Sequence, residues 1–197
     1  MSSPPIPGYT LGTSAVTRSP VTLADFQKMQ QTALFGPDDV AALRQSGAIL
    51  ADQTDAILDV WYGFVGSTPQ LLAFFAHPGS GEPQAAYLAA VRKRFARWIL
   101  DTAAADYGQA WLDYQHEIGL RHHRAKKNKT DSAKAAEIVS FRYLHPLLVP
   151  ITTTLQPFLA KQGHAPAEVE RMHAAWVKSV LLQATLWSHP YVKAGDF

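Results

Sequence analysis

The sequence predicts an all-α protein of about eight helices. Apolar residues return at steps of three and four along most of its 197 residues, the spacing of one helix face. The breaks between these stretches carry helix-start and helix-stop residues. No stretch alternates polar and apolar side chains as a half-buried strand does, and neither an Asn-Gly hairpin nor an internal repeat occurs.

Residues 1–20 are rich in Pro, Ser, Gly and Thr, and Pro4, Pro5, Pro7 and Gly8 exclude a helix there. Composition leaves two readings, a disordered tail or a segment pinned to the body by Ile6 and Tyr9. Thr22 followed by Asp25 resembles a capping box with a shortened acid. It opens a helix to about Leu34, with Leu23, Phe26, Met29 and Leu34 as candidates for burial. Gly36-Pro37 breaks that helix, and Pro37 suits the first turn of the next. Asp38–Val65 reads helical throughout. That is long for one helix, so a bend is expected near Gly47 or at Asp52–Thr54. Thr68-Pro69 opens a short apolar helix, Gln70–Ala76, and HPGSGEP, residues 77–83, is a loop.

A helix from Pro83 to about Thr102 turns Tyr87, Leu88, Val91, Phe95, Trp98 and Ile99 inward. Asp106 is expected to cap the following helix, which carries the stretch Trp111–Lys129. Asn128–Ala133 is a polar connection. From about Lys134 to Leu159 the chain again reads helical, with a kink expected at Pro146 and Pro150. A turn at residues 163–166 leads to the last helix, Pro166 to about Ser188, which lines up Val169, Met172, Trp176, Val180, Ala184 and Trp187.

The length suits one domain. At 47% apolar and 17% charged the composition is globular, and five Trp, seven Tyr and nine Phe suggest large flat surfaces to fill. A net charge of +2 is too small to imply a nucleic-acid partner. The chain has no cysteine, which excludes disulfides, thiolate metal sites and C-x-x-C-H attachment of a haem. The start, MSSPPIPGYT, is not patterned as a signal peptide, and no apolar run approaches a membrane span. A cytoplasmic protein with no membrane association is the expectation.

One stretch organises the rest, WLDYQHEIGLRHHRAKKNK at Trp111–Lys129. Trp111, Tyr114, Ile118 and His122 fall on one side of a helix. A histidine therefore aims where the core should be. The cationic run Arg121, Arg124, Lys126, Lys127 and Lys129 follows, as suits a helix C-terminus, and reads as a solvated helix end rather than a nucleic-acid site. His116-Glu117 begins a zinc-protease signature, but Leu120 stands where the second histidine must be. His122 and His123 diverge by about 100° on a helix, so they cannot both hold one ion. A core-facing histidine is either a satisfied core residue or a ligand. The neighbouring helix with Phe95, the inward aromatics and the Trp61-Tyr62 step favour a flat ligand held between two helices.

WYGFVGS (61–67), YLAAVRKRFARWILDT (87–102), WLDYQHEIGLRHHRAKKN (111–128), the closing LWSHPYVKAGDF (186–197) and IPGY (6–9) resemble the protoglobins, single-domain haem globins of archaea and bacteria related to globin-coupled sensors. The resemblance implies a globin fold with an N-terminal extension, residues 1–20, and an extra N-terminal helix within a globin domain at 21–197. It implies haem b with His122 as the proximal iron ligand, its second ring nitrogen donating to a carbonyl near Ile118. Trp61, Tyr62 and Phe95 map to the distal side, where a phenol can donate to a dioxygen ligand. Leu147 and Ile151 map to the distal wall, Arg94 to a propionate partner, and Tyr9 to the segment that covers the propionates. An aromatic is usual in the family where Leu147 stands, and Pro146 departs from the pattern too. The family forms homodimers through its C-terminal helices. The function implied is reversible binding of O2, CO and NO, as gas binder, sensor or scavenger. A haem enzyme turning over NO, nitrite or peroxide with an external reductant is the alternative, and a haem-free helical interaction domain is a third.

Overall fold

A computed structural model describes residues 5–197. Residues 1–4 of the expected N-terminal extension lie outside the described residues. Among those described, every regular element is helical apart from one isolated bridge between Ala76 and Pro83.

The first helix, α1 (Leu23–Thr32), begins where the Thr22 hydroxyl accepts from the Asp25 backbone N–H. The long run after it is two helices, α2 (Pro37–Leu50) and α3 (Thr54–Gly66), broken at residues 51–53. Of the two expected bend sites the second is the one used. Gly47 stays helical, and its missing side chain admits Ala103, whose Cβ would lie 3.3 Å from a Cβ at 47. A one-turn α4 (Pro69–Leu72) runs into a 3-10 turn, Ala73–Phe75. Then α5 (Ala85–Ala104) ends on Ala105 in the left-handed region at φ 48°.

The next helix, α6, spans Gln109–His122 and is capped by Gly108, not by Asp106. Tyr107 explains the delay. It turns inward against Phe26, Phe35 and Trp111 and bonds Ser179, so the chain must round a corner before it can wind again. The helix also stops seven residues before Lys129. His123 is extended, and residues 124–132 fold into turns.

The expected helix from Lys134 is likewise shorter. Residues 134–147 are irregular apart from a 3-10 turn at Phe141–Tyr143, and α7 spans Leu148–Leu159. Pro146 cannot donate within a helix and would clash with the preceding turn. Pro150 falls in the first turn of α7, where a missing donor costs nothing. Finally α8 (Pro166–Ser188) is a 23-residue helix with twelve buried residues. It packs against α2, α6 and α7, while α2 also packs on α5. Trp176, Phe26, Leu43, Leu50, Leu112 and Met172 form the centre of the core and are almost wholly buried.

Candidate functional site

Where α3, α5, α6, α7 and α8 converge they do not meet fully. They leave a cavity of about 240 Å³, closed on one side by residues 124–147. The irregular segment is a wall of the site. Val139 N–H donates to the carbonyl of His122 at 2.8 Å, and Val139, Leu144 and Leu147 line the space. A continuous helix could not have placed a backbone donor against the end of α6.

His122 reaches the cavity from the last turn of α6. Its Nδ1 lies 2.8 Å from the carbonyl oxygen of Ile118, so Nδ1 carries the proton and donates. Nε2 then holds a lone pair and has no hydrogen-bond partner among the described residues. Burial pushes the imidazole below the usual histidine range, against the opposing effect of the Ile118 bond. The neutral ring, the form that binds a metal, is the one favoured. His123 points elsewhere, with its ring edge-on to Tyr191 at 5.0 Å.

Trp61, Tyr62, Phe95, Ile118, Leu147 and Ile151 all line the cavity. Phe95 packs edge-on against Trp61 at 5.7 Å. The Tyr62 hydroxyl donates to no group among the described residues, and burial raises its pKa, so it remains a proton donor. A core tyrosine bonded to protein is therefore not what the structure shows.

Arg94 lines the cavity but is already committed. It meets Asp131 through two bonds of 2.6 and 3.0 Å and also donates to the Pro7 carbonyl. Tyr9 lies outside the lining. Its hydroxyl donates to Asp101 at 2.7 Å and accepts from Arg97, and its ring stands edge-on to Tyr114. The segment around it is nevertheless pinned over this end of the molecule. Arg121 donates to the Gly8 carbonyl and the Thr10 hydroxyl, and Asp113 accepts from Ser19 N–H.

Sequence reasoning missed Lys127. The cationic run is only in part a solvated end: Arg124 and Lys129 are exposed, and the other three cations are not. Arg121 and Lys126 pair with the buried Glu117, and Lys127 is 7% exposed. Lys127 Nζ donates to the Phe74 carbonyl, the Tyr87 hydroxyl and Asn128 Oδ1, and burial lowers its pKa to about 8. No carboxylate pairs with it among the described residues. Four cations therefore line this end of the cavity, Arg94, Arg121, Lys126 and Lys127, against two carboxylates, Asp131 and Glu117. Nothing in a K/R-rich stretch marks which lysine will fold inward. Trp187, read from its spacing only as core, is also in the lining.

No group of three or more His, Cys, Asp or Glu side chains among the described residues could hold a bare metal ion. A metal bound by His122 must bring its other ligands with it. The family model described as Protoglobin matches residues 22–197. A comparison with curated proteins finds no match.

Proposed function

Because this chain belongs to the protoglobin family, a family of haem-binding globins, we propose that it holds haem b through His122 and reversibly binds the diatomic gases O2, CO and NO. The observation that carries the proposal is the Nε2 of a half-buried, neutral imidazole, which has no hydrogen-bond partner among the described residues and is set in the wall of an otherwise largely apolar cavity. Such a wall suits a large flat apolar ring, and a single protein donor suits a metal that arrives already ligated by that ring.

Bound haem supplies an iron with one position left for a gas. The chain does the rest. Ile118 fixes the tautomer of His122 and makes its outer nitrogen a better donor. Trp61 and Phe95 keep water out of the apolar side. The unpartnered Tyr62 hydroxyl is available to donate to a gas whose outer atom carries partial negative charge. The surplus of two positive charges favours a ligand with two carboxylates, which haem has. In this reading Arg94, a propionate partner by resemblance, shares that role with the rest of the cluster, in which Lys127 is the cation without a carboxylate partner among the described residues. The outer face of α8, where Ala174 and Leu181 are exposed, supports the homodimer expected through the C-terminal helices.

Titration of the purified protein with hemin tests the proposal. A stoichiometric Soret band, shifted by CO after reduction, is expected; a colourless protein that refuses hemin rejects it.

A further inference from the structure

Trp187 lies face to face with His122. Indole and imidazole are 8° from parallel, with ring centroids 5.5 Å apart. Offset parallel stacking is one of the arrangements aromatic pairs favour. The indole is itself held from two directions. Its Nε1–H donates at 2.7 Å to Oε1 of Gln115, a side chain 2% exposed. On the backbone side, Gly119 lets α8 approach so closely that a Cβ at 119 would lie 3.0 Å from both the Cα and the carbonyl oxygen of Trp187. One helix thus carries the group that anchors the indole, the gap that admits its backbone, and the ring it covers.

This arrangement supplies a restraint that His122 lacks by itself. The bond from Nδ1 to Ile118 fixes one point of the imidazole. Swinging about that point remains soft, because a hydrogen bond tolerates a range of angles. A parallel face resists the swing. Trp187 also sits at the end of α8, so any displacement of that helix moves the face against which the imidazole rests.

We infer that Trp187 is a positioning residue for the metal ligand: it sets the plane of the His122 ring and links the placement of α8 to the iron–imidazole bond. The inference rests on the reading of His122 as the haem ligand. Resonance Raman spectra of the reduced, five-coordinate protein measure that bond directly through its stretching band. Trp187→Leu removes the parallel face and is expected to shift and broaden the band. Trp187→Phe keeps an aromatic face and leaves the band close to native. Gly119→Ala touches neither ring, yet obliges the Trp187 backbone to give by a few tenths of an ångström, and the band shifts. An unchanged band in a folded Trp187→Leu protein overturns the inference. So do equal shifts in the Leu and Phe variants, which would report lost volume rather than lost stacking. Should Trp187→Leu fail to fold, Gly119→Ala decides, and a native band there overturns it. A band that survives in His122→Ala overturns the ligand assignment itself; a band lost there and unmoved by Trp187→Leu defeats only the positioning role.

Discussion

The Nδ1–H of His122 donates to the carbonyl oxygen of Ile118 at 2.8 Å, one turn earlier on the same helix. That bond uses the one proton a neutral imidazole carries and leaves Nε2 as an acceptor. Adjacent His123 makes no such bond and packs on Tyr191. His122→Ala is therefore expected to abolish the five-coordinate haem spectrum, while His123→Ala retains it. Absorbance spectra of the two variants reconstituted with hemin decide the matter. The reverse pattern would mean the wrong histidine has been assigned.

Tyr62, whose hydroxyl has no hydrogen-bond partner among the described residues, lines the cavity beside the aromatic Trp61 and Phe95. A hydrogen bond from it to dioxygen contributes about 1–2 kcal/mol net. Tyr62→Phe should then release oxygen about tenfold faster. Stopped-flow measurement of the off-rate checks this, and CO, a poorer acceptor, should respond less. An off-rate equal to that of the wild type removes Tyr62 from the gas site.

Lys127 gives a pH dependence whose sign can be worked out. Its pKa is about 8 in the folded chain against 10.5 for the free side chain, chiefly because burial disfavours the charge. Between those values the unfolded chain holds a proton that the folded chain has released, so stability rises with pH across this interval. The full effect is on the order of 3 kcal/mol, from about 1.4 kcal/mol per pKa unit. Below pH 8 both states are charged and the whole cost of burying the ammonium is present. Urea unfolding of wild type and Lys127→Met should therefore show the wild type gaining on the variant as pH is raised through this range. Bound haem should flatten the gain, since its carboxylates favour the charged lysine. Parallel curves without haem would show that Lys127 is not desolvated.

Gly8 has φ +76°, and a Cβ there would meet Thr130 Cγ2 at 2.5 Å and Arg94 Nη1 at 2.8 Å. An L side chain in the left-handed region costs about 1–2 kcal/mol before any clash. Gly8→Ala should loosen the segment that Arg94 and Arg121 hold through Pro7 and Gly8. Transfer of haem to an acceptor apoglobin should then speed up, as it should when residues 1–20 are deleted. Equal loss rates in all three proteins would show that the segment does not cover the cofactor.

The helices were legible because burial leaves a periodic trace. The Trp111–His122 run, the inner face of α5 and the apolar rows of α8 all stand where the spacing puts them. The Thr22 cap and the proline starts of α2, α4 and α8 follow from local chemistry that depends on a few neighbouring residues. The errors fall where a distant contact overrules local preference. Inward packing of Tyr107 moves the start of α6. The Val139 bond to the His122 carbonyl belongs to a segment that reads as helix by composition alone.

Charge was the least legible property. The sequence shows five cations after His122 or just before it, but not which of them are buried. Lys127 turns inward because the Phe74 carbonyl, the Tyr87 hydroxyl and Asn128 converge on one point, and those groups are brought together by three different parts of the chain. The sequence by itself determined an all-α chain with an imidazole aimed at its interior, because residue spacing alone dictates which side of a helix is apolar. Only the tertiary structure decided that Arg94 is spent on Asp131, that Lys127 is the buried cation and that Trp187 backs the His122 ring. Each of these depends on atoms far apart in the chain meeting within a few ångströms, and no local pattern records such a meeting.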